Sequence, residues 1–218
     1  MRVLVTGGSG FLGSHIAEEL VHRGHDVVSL DIKTPPTDVY PSIVGDIRDR
    51  EVVEQAISGC AAVYHCAAIA DLDQARIDPR LSTEVNILGT LTVLEAAASW
   101  GVKRFMHASS VYVYAGTGSI YRTTKRAAES LVGDVSEVGG FESTILRFGS
   151  LYGPRADAHN AILRLVSQAV GEGRIDFWGD GSEIREYIHI TDAAGLAVDA
   201  LDARYAGEWA DLLLALGA

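Results

Sequence analysis

The sequence predicts an α/β fold: a doubly wound parallel sheet with helices on both faces, followed by a small, truncated C-terminal region. Three observations carry this. Short apolar runs alternate with amphipathic segments over the first two-thirds of the chain. The runs are almost continuously apolar, as strands buried on both faces must be. A glycine-rich turn joins the first run to the first amphipathic segment, as at the start of a βαβ unit.

Taken in order, "RVLVT" is a buried strand and "SHIAEELVHRG" a helix, with Ile16, Leu20 and Val21 at helical spacing and Gly24 at its C-terminal cap. "DVVSLD" is the next strand, and a third is expected just before "GDIRD". "DREVVEQAISG" reads as a helix ended by glycine, "AAVYHCAA" as a strand, and residues 82–100 as one long amphipathic helix. Then follow the strand "VKRFMHAS", a helix over 121–137 and the strand "FESTILRFG". Beyond Pro154 the pattern loosens into a helix "AILRLVSQAVGEG", a short strand near "IDFWGDG", the segment "REYIHI" and a last helix "TDAAGLAVDALDA". Residues 1–153 therefore form the main domain. Residues 154–218 form a partial substrate-covering region, some segments of which could rejoin the sheet.

The 218 residues suffice for one sizeable core. With 48% apolar and 22% charged residues the composition is that of a globular protein. A net charge of -11 argues against nucleic-acid and anionic-membrane surfaces, which need clustered Lys and Arg. The N-terminal apolar run is too short for a signal-peptide core, and no run could span a bilayer, so a cytoplasmic protein is expected. Cys60 and Cys66 suggest buried thiols rather than a zinc site or a disulfide framework, and the seven histidines show no metal-ligand spacing.

Chemistry gathers first in "VTGGSGFLGSHIAEEL". Gly7 lets the chain turn, Gly10 lets backbone N–H groups approach a pyrophosphate, and Gly13 lets the helix pack closely on the sheet. The helix N-terminus then faces the negative charge. Asp31 ends the second strand, where a carboxylate can take ribose hydroxyls and would repel a 2′-phosphate, which favours NAD over NADP. Asp46, in "GDIRD", could bond the adenine amino group or be a loop carboxylate at a helix start.

The second concentration is "SSVYVYAGTGSIYRTTK". Tyr121 and Lys125 lie one helical turn apart on a common face. A free phenol titrates near pH 10, but a neighbouring ammonium and a cationic nicotinamide ring would both favour the phenolate and make it a base at neutral pH. Ser110, at the end of the preceding strand, could hydrogen-bond a substrate oxygen. Only ten residues separate Ser110 from Tyr121, so convergence requires a tight return, which Gly116 and Gly118 would permit.

With these segments, and with "YHCAA", "VNILGTLTVLEAA", "LRFGSLYGPR" and "FWGDGSEIREYIHITD", the chain resembles the extended short-chain dehydrogenases/reductases of the NAD-dependent epimerase/dehydratase family, which act mainly on nucleotide sugars. The resemblance implies a Rossmann fold, Tyr121 as base, Lys125 as its partner, and Ser110 as the polarising hydroxyl, with Ser109 the lesser candidate. It implies an NAD site lined by Gly7, Gly10, Phe11, Leu12, Gly13, Asp31, Asp46, Ile47, Ala67, Ala68, Asn86, Tyr121 and Lys125. Ser110, Ser150, Arg155 and Arg185 would face the substrate, Arg185 gripping a diphosphate. Helices 82–100 and 121–137 resemble those that pair family members into homodimers.

The departures narrow the chemistry. Dehydratases of the family carry an Asp-Glu pair directly after the catalytic hydroxyl, where this chain has Val111 and Tyr112. Ser150 replaces an asparagine that commonly touches substrate. The chain ends earlier than its relatives, so its substrate region is short. The expected activity is nucleotide-sugar C4 epimerisation through a keto-sugar; the alternative is net dehydrogenation or reduction of a smaller sugar, uronate or other alcohol.

Overall fold

The structure is a computed structural model that describes residues 1–116, 119–176 and 186–201, together with the backbone of 212–214. Its elements are β1 (Arg2–Thr6), α1 (Phe11–His22), β2 (Asp26–Asp31), β3 (Ser42–Val44), α2 (Arg50–Ile57), β4 (Ala62–His65), α3 (Leu72–Ile77), α4 (Pro79–Thr83), a π-helical turn (Glu84–Gly89) and α5 (Thr90–Ser99). Then come β5 (Arg104–Ser110), a 3-10 turn (Val111–Tyr114), α6 (Ile120–Gly139), β6 (Glu142–Phe148), β7 (Ser150–Tyr152), α7 (Ala161–Glu172), β8 (Tyr187–His189), α8 (Ile190–Asp199) and β9 (Leu212–Leu214).

The main sheet runs β3-β2-β1-β4-β5-β6-β9, and every pair in it is parallel. The strand order reverses between β1 and β4, which opens a crevice beyond their carboxyl ends. Side chains alternate along each strand. Val3, Val5, Tyr64 and Met106 enter one core with α1 and α8 residues such as Ile16, Leu20 and Ala197. Leu4, Val63 and Phe105 enter the other with Leu94, Val132 and Ile57. Each fully buried aliphatic side chain contributes about 1.5–3 kcal/mol, so the two faces together hold the sheet. The Tyr64 hydroxyl donates to the Ala197 carbonyl at 3.0 Å, tying α8 to the central strand.

The segment expected as one helix over 82–100 is three continuous pieces. Asp78 caps it by accepting from the Leu81 N–H at 2.9 Å, and Pro79 occupies the first turn, where a missing N–H costs nothing. The π turn over Glu84–Gly89 then adds a residue to the helical register, as single π turns do near functional sites. The strand expected near "IDFWGDG" lies largely outside the described residues. Residues 150–152 and 187–189 form a separate two-stranded parallel sheet, β7-β8.

Candidate active site

The glycine turn follows from what side chains would meet. Gly7 has φ +71, and a Cβ there would lie 2.6 Å from the Ala67 nitrogen. A Cβ on Gly13 would overlap the Gly7 carbonyl oxygen. Only glycine lets α1 pack this closely against the strand ends. The N-terminus of α1, capped by Gly10, carries no side-chain cap and no acidic residue in its first turn. Its orphan N–H groups suit an anion.

This helix end opens on a cleft of about 380 Å³, lined by Gly7, Gly10, Asp31, Asp46, Ile47, Ala67 and Ala68 among others. The Asp31 carboxylate accepts from the backbone N–H groups of Ser9 and Lys33, both at 3.0 Å, and so is fixed at the rim. Asp46 is gripped by Arg48, whose Nη2 lies 2.7 Å from Oδ2, and Arg48 also reaches Glu84 at 3.1 Å. That hydrogen bond holds the Asp46 carboxyl below its ordinary range. An uncapped helix end, glycines that exclude a Cβ and an oriented carboxylate at the strand end fit a dinucleotide. The cleft also takes in Ile32, Arg48, Gln74, Leu81 and Val85, which sequence reasoning missed. Of these, Gln74 and Leu81 come from α3 and α4, two short helices for which no periodic signal exists.

Several expected cofactor residues lie off this cleft. Phe11, Leu12 and Gly13 belong to the first turn of α1. The Asn86 side chain bonds both backbone groups of Ile69 and the Thr124 hydroxyl, at 2.7, 3.0 and 3.0 Å. Its part is to hold Ile69, which does line the cleft.

Ser110, Tyr121 and Lys125 are brought together at the carboxyl end of β5 and the start of α6, all three buried. Ser119 caps α6 by accepting from the Arg122 N–H at 3.2 Å, which fixes where the helix starts and hence where Tyr121 points. The Ser110 hydroxyl oxygen accepts from the Tyr112 N–H at 3.3 Å and caps the 3-10 turn. The Lys125 Nζ donates to the Ala108 carbonyl at 2.7 Å and lies 6.0 Å from the Tyr121 ring centroid. Burial pushes the Tyr121 phenol up to about 12, against the pull of Ser110, and pushes the Lys125 ammonium down to about 8. Desolvation dominates at both groups, and the ammonium is turned to a carbonyl rather than to the phenol.

Behind the triad, Glu129 accepts from the Ser109 hydroxyl at 2.5 Å and from Arg147 at 2.9 and 2.8 Å, and Arg147 also donates to the Tyr114 hydroxyl at 2.6 Å. Ser109 is thus a structural anchor, and Tyr114 fixes the 3-10 turn after Ser110. Tyr112 packs edge-on to Tyr121, centroids 6.3 Å apart. Of the expected substrate residues, Ser150 begins β7 and its N–H donates to the Glu186 carbonyl at 3.0 Å. Arg155, in the left-handed region at φ 69, forks onto Glu18 with two bonds of 2.7 Å and holds that carboxyl below its ordinary range. Its guanidinium is committed to α1. Arg185 lies outside the described residues. Among the described residues no cluster of His, Cys, Asp and Glu could hold a metal ion, and no helix is long and apolar enough to cross a membrane.

A dinucleotide cleft at the switch point of a parallel sheet, next to a Tyr-Lys-Ser set, defines a nicotinamide-dependent Rossmann protein. A family model agrees: residues 3–211 match the NAD dependent epimerase/dehydratase family, and the chain belongs to it. The chain is 31% identical over 219 residues to the dTDP-glucose 4,6-dehydratase of Mycobacterium tuberculosis, with 88% of this chain and 66% of the relative covered. It thus spans about two-thirds of that relative's length. Among solved structures, the UDP-glucose 4-epimerase of Thermotoga maritima with UDP-glucose superposes with a TM-score of 0.85 at 26% identity, covering 93% of this chain and 74% of that one. The UDP-glucose 4-epimerase of Thermus thermophilus in complex with NAD does so with a TM-score of 0.80 at 34% identity, covering 92% and 74%.

Proposed function

We propose that this protein is an NAD-dependent nucleotide-sugar 4-epimerase. The observation that carries the reading is a triad of Ser110, Tyr121 and Lys125 with no carboxylate directly after Ser110: Val111 and Tyr112 stand where an eliminating enzyme needs its extra acid and base. Redox chemistry at one carbinol carbon needs nothing beyond the triad, whereas elimination of water does.

In this account the Ser110 hydroxyl donates to the sugar O4, and Tyr121 takes the O4 proton as the carbinol becomes a ketone and returns it when the carbinol re-forms. Lys125 holds the ribose hydroxyls and supports the phenolate. When bound, NAD supplies the hydride acceptor and donor and a positive charge that favours the phenolate. Gly7, Gly10, Asp31, Asp46, Ile47, Ala67 and Ala68 hold the dinucleotide, together with the first-turn N–H groups of Phe11, Leu12 and Gly13. Asp31 selects NAD by repelling a 2′-phosphate. Ser150 contributes to the substrate side. A homodimer through α5 and α6 accords with the exposure of Leu88, on the π turn that leads into α5, and of Val138 on α6.

The test mixes the protein and NAD with UDP- and dTDP-linked glucose and glucuronate, following absorbance at 340 nm and product configuration by NMR. An isomerised sugar without accumulating NADH supports the epimerase. A rise proportional to substrate replaces it with a net dehydrogenase.

A further inference from the structure

A buried row of hydrogen bonds runs from the glycine turn to the catalytic helix. Thr6, the residue before Gly7, lies opposite His65 in the parallel register of β1 and β4. The Thr6 hydroxyl is 2.7 Å from His65 Nδ1 and accepts from the Ala67 N–H at 3.4 Å. His65 Nε2 is 2.9 Å from the Thr90 hydroxyl, which donates to the Asn86 carbonyl at 2.8 Å. The Asn86 amide donates to the Thr124 hydroxyl at 3.0 Å, and Thr124 donates to the Tyr121 carbonyl at 2.9 Å. All five side chains are at most 1% exposed.

Proton counting fixes the direction of this row. A hydroxyl has one hydrogen. That of Thr90 goes to the Asn86 carbonyl, so Thr90 can only accept from His65, and the imidazole proton lies on Nε2. His65 Nδ1 is then an acceptor, and Thr6 must donate to it. No polar hydrogen in the row lacks an acceptor, and the arrangement admits one tautomer.

We propose that His65, as the neutral Nε2–H tautomer, is a positioning residue for NAD: it locks the cleft wall at Ala67 and Ile69 to β1 on one side and, through Thr90 and Asn86, to the helix bearing Tyr121 on the other. The inference rests on the reading of the cleft as an NAD site and not on the identity of the sugar. The groups facing His65 agree with a neutral ring. His107 stacks on it with centroids 5.5 Å apart, Phe105 packs at 5.9 Å, and the buried Lys125 ammonium disfavours a second positive charge. Burial and that charge push the imidazole down to about 3.

Two measurements test this. In ¹⁵N–¹H correlation spectra of histidine-labelled protein, His65 should show a protonated Nε2 and a bare Nδ1 from pH 5 to 8, with and without NAD. An Nδ1–H tautomer, a mixture, or titration in this range overturns the proposal. NAD calorimetry on Thr6→Val, Thr90→Val and the double variant should give a Kd raised about 5- to 20-fold in each single variant. The double should be no worse than about the poorer single, because each variant interrupts the same continuous row through His65. Thr6→Ser and Thr90→Ser should restore nearly parental affinity. Additive losses, unchanged single variants, or failed serine rescue overturn it. A parent that binds no NAD would instead remove the reading of the cleft.

Discussion

The Lys125 ammonium donates to the Ala108 carbonyl at 2.7 Å and stands 6.0 Å from the centroid of the Tyr121 ring. The pair is thus set for use but not yet charged for it: burial holds Tyr121 near 12, and only a cationic neighbour can bring it into range. Replacing Tyr121 with Phe should lower turnover by about 10²–10⁴-fold, the usual worth of a positioned acid–base group, while NAD affinity changes little. Parallel kinetics and calorimetry check both halves.

Lys125 makes a pH prediction. Its folded-state value of about 8 lies below the ordinary 10.5, so the unfolded chain binds more protons between those values and stability rises with pH there. The cost of the buried ammonium is therefore fully present below pH 8. Lys125→Met should be about 1–2 kcal/mol more stable than the parent at pH 7, the desolvation cost less the lost hydrogen bond. The gap should close between pH 8 and 10.5, while the variant loses activity. Denaturant titrations across pH measure it.

Glu129 and Arg147 form an almost fully buried pair, at 6% and 9% exposure. Glu129→Gln removes one charge of that pair and should cost about 3–5 kcal/mol at neutral pH. A fall in the denaturant midpoint at constant m-value would register it.

Asp31 is held at the cleft rim with its two oxygens oriented by the Ser9 and Lys33 N–H groups. Asp31→Ala should weaken NAD about 10- to 100-fold, the worth of charge-assisted bonds to the ribose, and narrow the preference over NADP. Binding of both dinucleotides by calorimetry decides it.

The parts of the molecule legible in the sequence are those whose chemistry is local. Gly7, Gly10 and Gly13 announce the turn because their spacing is the geometry, and Tyr121 and Lys125 share a face because four residues make a helical turn. The bonds that tie Asn86 to Ile69 are not legible, because they depend on a π turn, which no apolar period marks. The fork of Arg155 onto Glu18 is not legible, because the two residues lie 137 positions apart. Glu129 looks like one more helical carboxylate, since only the register that sets Ser109 opposite Arg147 brings its two partners side by side. Long-range pairing of polar groups leaves no local signature.

The central claim is reversible oxidation at one sugar carbon. UDP-glucose and dTDP-glucose deuterated at C4, incubated with the protein and NAD, test it most directly. The account predicts a C4-inverted product that keeps its deuterium at C4, with no lasting absorbance at 340 nm. Deuterium lost to water or found on another carbon, or NADH formed in step with a ketone, would contradict it.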